Sequence, residues 1–320
     1  AKHSDTTASL FEKFKIKTVP TLLFLDGNGV AQDGIAGFIP LPKFLAECER
    51  IQAGKGTLRD LQYRLSQTDD ESPEGIKARW LVAGKLLDLQ DVAGHDLHME
   101  KIRALDPKGS TKIGAQLLVG DLVNSIAKAA EGEKGEKAGG QDVEEGQEGE
   151  KPYVKFDLAP LYELAQSSKS RPVRYESWLR ICRLEAYNKE LPKASLALQE
   201  TEKHLADEDA RAWYLQSTGW LAKFEEHTTS KERKLAMRYA STGYKLADKA
   251  RGKKAKDAAG SKDGYGVTDA EMARHCEALA IALHINRKQA KAVHFAKKAI
   301  ELDPDNKYLA KTLKRVAEED

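Results

Sequence analysis

Three cysteines and eight histidines are the side chains best suited to nucleophilic, redox or metal chemistry, and their spacing offers little of it. Cys48, Cys182 and Cys276 are more than 90 residues apart, with no C-x-x-C and no metal-ligand spacing. Each falls in a helical pattern beside apolar neighbours, where cysteine behaves as a small buried hydrophobe; a single long-range disulfide stays open. His95 and His98, three apart on a predicted helix, could present two ligands on one face. No third ligand has suitable spacing, so a solvated or partly buried pair is expected. His275-Cys276 with His284 is read the same way. G-x-x-x-x-G-K-[ST], H-E-x-x-H and G-x-S-x-G are absent from the sequence. The expectation is therefore no metal, no cofactor and no catalytic group in this chain.

The elements that carry these residues are mostly helices. The 320 residues suffice for two or more domains, and with 41% hydrophobic and 32% charged residues they are globular at the polar end. A net charge of +2 demands neither nucleic acid nor a membrane surface, and no run of about 18 apolar residues exists to span a bilayer. Protein or peptide partners are expected, without nucleic acid or a membrane span; the sequence does not fix the oligomeric state.

Residues 8–15 predict a short amphipathic helix. Val19-Pro20-Thr21-Leu22-Leu23-Phe24-Leu25 has strand length and is apolar on both faces. Asp26-Gly27-Asn28-Gly29 is a tight turn, Val30 to Phe38 the returning strand, and 41–52 a helix opened by Pro40 and Pro42. Beyond 57 the 3.6-residue period dominates. It predicts helices over 57–67, 74–89, 92–105, 111–130, 158–167, 172–189, 191–205, 207–225, 230–250, 269–286, 288–302 and 306–318. Residues 131–151 hold eight acids, three lysines and six glycines and are expected to be disordered. Residues 251–266 read as a basic loop; with Tyr265 its one aromatic and Asp257 and Asp263 alongside, it reads as a solvated linker. Ala104-Leu105-Asp106-Pro107 is echoed by Glu301-Leu302-Asp303-Pro304; in each, the residue before proline is pushed out of the α region and the helix stops.

The order of helix, Val-Pro-Thr strand, glycine turn, second strand and closing helix over 11–51 resembles the C-terminal half of a thioredoxin domain. Phe14-Lys15-Ile16 resembles the entry to that family's proline loop, Thr18-Val19-Pro20-Thr21 the loop itself, and Gly37 the glycine before its last helix. The resemblance implies a cis bond at Pro20, with Thr18, Val19 and Pro20 as the substrate-contact edge; from the residues alone, a trans proline opening an edge strand is the alternative. The family's dithiol precedes this half, so the resemblance implies a fragment lacking its N-terminal half, with thiol–disulfide exchange in the intact parent. The compartment would be the cell envelope or periplasm if a signal peptide precedes the missing part, and the cytoplasm otherwise.

Residues 269–318 resemble a tetratricopeptide repeat with a capping helix. Leu279, Ala280 and Leu283 fit its first helix; Ala292, Ala296, Ala299 and Pro304 fit the small-residue ladder and closing proline of the second. In 74–107, Ala83, Leu86 and Pro107 agree while His95 and Met99 depart. Trp213, Trp220 and Leu221 with Ala236, Tyr239, Ala240 and Leu246 suggest another pair. Trp178, Trp213 and Trp220 are expected in cores. The fold class expected is mainly α: a helical-repeat array behind a partial thioredoxin-like α/β segment. Domains are expected at 1–54, 57–130 and 152–320, with the linker 131–151 between. Function divides between a thioredoxin-family protein using helical repeats for protein recruitment and a noncatalytic protein-binding scaffold.

Overall fold

A computed structural model describes residues 12–14, 16, 20–137, 155–222, 229–257 and 267–318. Among them are thirteen α-helices, one 3-10 turn and two strands, a mainly α protein. The chain divides into two compact units, Ala1–Ala197 and Leu198–Asp320.

The first unit opens with a hairpin. Strand β1 (Thr21–Leu25) pairs antiparallel with β2 (Ala31–Ala36), Leu22 opposite Ile35 and Phe24 opposite Asp33, with a bulge between Phe24 and Leu25. The Asp26 carboxylate shapes the turn by accepting from Asn28 N at 2.9 Å and Val30 N at 3.0 Å. The returning strand is shorter than the expected 30–38 because Gly37 turns to φ 76°, out of the β region. Helices α1 (Leu41–Gln52), α2 (Leu58–Ser66), α3 (Pro73–Asp88), α4 (Val92–Leu105), α5 (Lys112–Lys137), α6 (Ala159–Ser167) and α7 (Arg171–Tyr187) follow. β2 packs on α2 and α3, α3 on α4, and α5 and α6 on α7. Leu58, Leu61, Val82 and Leu86 form one core; Ile76, Ile102 and Leu117 form another.

Helix α8 (Leu191–Lys203) crosses the unit boundary. In the second unit, α9 (Ala210–Ala222) packs on α10 (Ser230–Asp257) and α11 (Asp269–His284); α11 also packs on α10, α12 (Gln289–Leu302) and α13 (Lys307–Ala317). Alanines at 240, 280, 282, 292 and 296 line the seam with Leu279, Leu283 and Val316, small enough for close helix approach.

One turn recurs three times. Gln90 after α3, Lys189 after α7 and Arg287 after α11 have φ 63°, 61° and 56°. In each, the next residue's N–H reaches back five residues: Asp91 to Leu86 O, Glu190 to Glu185 O, and Lys288 to Leu283 O, at 2.8, 2.8 and 2.9 Å. This is a Schellman closure with a non-glycine residue at its left-handed position. Burial repeats in register with it. Four residues before lie Leu86, Glu185 and Leu283; seven before, Ala83, Cys182 and Ala280; twelve after, Ile102, Thr201 and Ala299, all buried. A Cβ in the left-handed region costs roughly 1 kcal/mol. Lys189→Gly and Arg287→Gly are therefore expected to raise stability by about 0.5–1 kcal/mol each. Denaturant unfolding checks this; a loss of stability would show that these side chains contribute more than the strain they introduce.

Two expectations are corrected. Residues 131–137 are helical, not disordered: α5 continues to Lys137. Residues of high helix propensity at 131, 133, 134, 136 and 137 carry the helix across two glycines. Likewise 251–257 are helical, since the Lys- and Ala-rich end of α10 reaches Asp257. Residues 138–151 and 258–266 lie outside the described residues. The Asp-Pro stops hold: Asp106 and Asp303 are the C-caps of α4 and α12. The Asp106 carboxylate, buried, accepts from the backbone N–H and hydroxyl of both Ser110 and Thr111 at 2.7–2.8 Å.

Candidate functional site

Of the three expected edge residues, Thr18 and Val19 lie outside the described residues. Pro20 is an exposed bend before β1, and its carbonyl accepts from Gly37 N at 2.8 Å. That bond makes Pro20 and Gly37 a hydrogen-bonded pair, so by alternation Leu22 and Phe24 face β2 through their backbone groups. Among the described residues β1 pairs with no strand other than β2.

The hairpin and the helix that follows it leave several large apolar side chains in solvent. Phe38 is 94% exposed, Leu41 67%, Leu45 51% and Leu22 44%. The paired Pro20 and Gly37 set Phe38 near the start of β1, and Leu41 and Leu45 share one face of α1 at i, i+4 spacing. Single exposed leucines are ordinary; a phenylalanine almost wholly in solvent, followed in sequence by exposed Leu41 and Leu45, is the mark of an interaction surface.

A buried ion cluster fixes the hairpin. Asp33 is 2% exposed and receives Arg50 Nη2 from α1 at 2.8 Å and Lys85 Nζ from α3 at 2.9 Å. Burial alone would raise its pKa, yet the hydrogen bonds from Lys85, Arg50 and Gly34 N hold the carboxyl below its usual value. On the other strand face, Leu23, Ala31, Leu58, Leu86 and Leu89 line a cleft of about 240 Å³. Sequence reasoning missed both Asp33 and Phe38. An acid in a strand otherwise bound for burial is the signal that could have found the first; nothing local marks the second.

The other candidates are structural. His95 Nδ1 lies 3.0 Å from Ala83 O, whereas His98 Nδ1 lies 3.3 Å from Arg79 Nη1, so the two rings are engaged with different groups. The described residues hold no cluster of three metal-binding side chains, and their cysteines are all free thiols. Burial pushes the Cys182 thiol up to about 12 and the Cys276 thiol up to about 11, the opposite of an activated nucleophile. Trp213 is a core residue, while Trp178 and Trp220 are only half-buried. Among the described residues no helix is long and apolar enough to cross a membrane. No family model matches the chain, and no curated protein matches it.

Proposed function

We propose that this chain is a protein-binding module, a thioredoxin-like hairpin joined to tetratricopeptide-like helices, that captures an extended polypeptide at the β1 edge. The exposed apolar side chains of Phe38, Leu41 and Leu45, on the segment that follows β2, and of Leu22 on β1 carry this reading. Backbone pairing supplies affinity in strand addition, and neighbouring apolar side chains hold the added strand. The thrice-repeated turn and its register of buried residues support the repeat reading of the helices.

Thiol–disulfide exchange is not proposed for this chain's own cysteines, because two are buried with raised pKa values and the third, Cys48, has no partner cysteine nearby in sequence. In a longer parent carrying a reactive dithiol, the same edge would present a client's disulfide to it. Fluorescence anisotropy with a reduced and alkylated insulin B chain tests the module. Binding in the micromolar range is expected, with a loss of about tenfold or more on Phe38→Ser combined with Leu41→Ser, and unchanged thermal unfolding. Equal binding by that double variant, or none by either protein, would sink the proposal. Turnover of insulin by the chain with dithiothreitol would instead place redox chemistry in its own thiols.

A further inference from the structure

Helices α12 and α13 carry a charge pattern unlike the rest of the molecule. Residues 286–317 hold nine lysines and arginines against three carboxylates, while the remainder of the chain holds forty-three against forty-seven. The two helices bury Ala292, Ala296, Ala299, Leu309 and Val316 and turn most of their cations outward; Lys298 instead donates to the Tyr244 hydroxyl on α10. Lys291, Lys297, Lys307, Lys311 and Lys314 are all exposed, and no ion pair joins any of them to a carboxylate among the described residues.

An ordinary solvated helix face interleaves the signs. Elsewhere this chain does so, pairing Asp60 with Arg64 on α2 and Glu176 with Arg180 on α7 at i, i+4. On α13 the same spacing repeats one sign, Lys307 with Lys311 and Lys311 with Arg315, while α12 holds one opposite-sign pair at that spacing, Lys297 with Glu301. Each like-charge pair destabilises α13 by a few tenths of a kcal/mol, a cost that a bound anion would relieve. Gln289 Nε2 donates to Val316 O, tying the start of α12 to the end of α13. That tie sets the start of α12, with Arg287 and Lys288 just before it, against the end of α13, which carries Lys314.

We infer that this α12–α13 surface binds a short acidic segment of a protein partner. Its limits favour a short acidic peptide over a nucleic acid. Glu301, Asp303 and Asp305 close the patch where α12 turns into α13, and Glu318 closes it at the other end. The exposed lysines of α12, Lys291 to Lys297, span about 9 Å of helix at 1.5 Å per residue, about three residues of extended peptide. A long polyanion would run past these carboxylates onto a molecule whose remaining charge is net negative. This surface is independent of the β1 edge and of the reading built on it.

Anisotropy of a labelled ten-residue peptide alternating glutamate and glycine tests the inference in about 50 mM salt, where surface charges are weakly screened. The full chain should bind it, with affinity falling as salt rises. Lys291→Glu, Lys311→Glu and Lys314→Glu together should weaken it at least tenfold, while Lys43→Glu with Lys77→Glu, on α1 and α3, should leave it within twofold. If the triple charge reversal unfolds the chain, Lys→Gln at the same positions carries the comparison. Absence of binding, equal losses in the two sets of variants, or tighter binding to a single-stranded oligonucleotide of matched charge or to vesicles containing phosphatidylserine would each overturn the assignment.

Discussion

Replacing Asp33 by alanine is expected to destabilise the first unit by about 3 kcal/mol, toward the lower end of the range for breaking a buried ion pair. The carboxylate is 2% exposed and both its oxygens are engaged, Oδ1 by Lys85 and Oδ2 by Arg50. Removing it leaves two cations with no compensating charge. Their own side chains are 14% and 30% exposed, so part of the penalty is relieved by water, which sets the figure at the lower end. Asp33→Asn keeps an acceptor and should lose less. The same group predicts an acid dependence. Its folded-state pKa is depressed, so the unfolded chain takes up the proton first as pH falls. The stabilisation is complete above the ordinary carboxylate value near 4 and drains away as pH drops through the lower folded-state value. Urea unfolding of wild type and Asp33→Asn between pH 7 and 3 checks both statements. Equal stabilities at neutral pH would show that the cluster is incidental to holding the hairpin. Because Asp33 anchors β2 to α1 and α3, its loss should also weaken peptide capture at β1, whereas the Phe38 and Leu41 variants should weaken capture without unfolding.

What was legible in the sequence was what local chemistry decides. The hairpin follows from an apolar β-branched run, an Asp-Gly-Asn-Gly turn and a second run closed by Gly37. Helix 92–105 has the bounds that its Asp91 cap and Asp-Pro stop dictate. Two of the misses share a cause. Residues 131–137 and 251–257 have the composition of linkers but extend helices already nucleated upstream, and propagation is far easier than nucleation. The recurring left-handed turn went unread because Gln90, Lys189 and Arg287 occupy positions where glycine would have announced it. Asp33 owes its burial to Arg50 and Lys85, seventeen and fifty-two residues away, a distance no window captures. The exposure of Phe38 depends on what fails to cover it, and that too is a tertiary fact.

His275 makes the stability of the second unit acid-sensitive, with an expected loss of about 3 kcal/mol between pH 6.5 and 4. The ring lies on α11, is 2% exposed, and its Nε2 has no hydrogen-bond partner. It fits because residue 243 on α10 is glycine: a Cβ there would stand 3.2 Å from the imidazole Nδ1 and 3.1 Å from Tyr214 Cβ on α9. Burial, and after it the Arg211 guanidinium on α9, pushes the His275 pKa down to about 4. The imidazole is thus neutral in the folded unit at any pH above that value, while in the unfolded chain it protonates near 6.5. Between those limits the unfolded state binds the extra proton, so stability falls by about 1.4 kcal/mol for each unit of acidification; above 6.5 the group contributes no slope. Carboxylates add their own dependence below about pH 5, and a difference measurement removes it. His275→Leu gives up no hydrogen bond from Nε2 and should retain most of the neutral-pH stability while flattening the curve from 6.5 downward. Unfolding followed by tryptophan fluorescence, with Trp213 buried in this unit, supplies both curves. If wild type and His275→Leu lose stability in parallel as pH falls, the ring is not titrating across the transition and its burial carries no acid sensitivity.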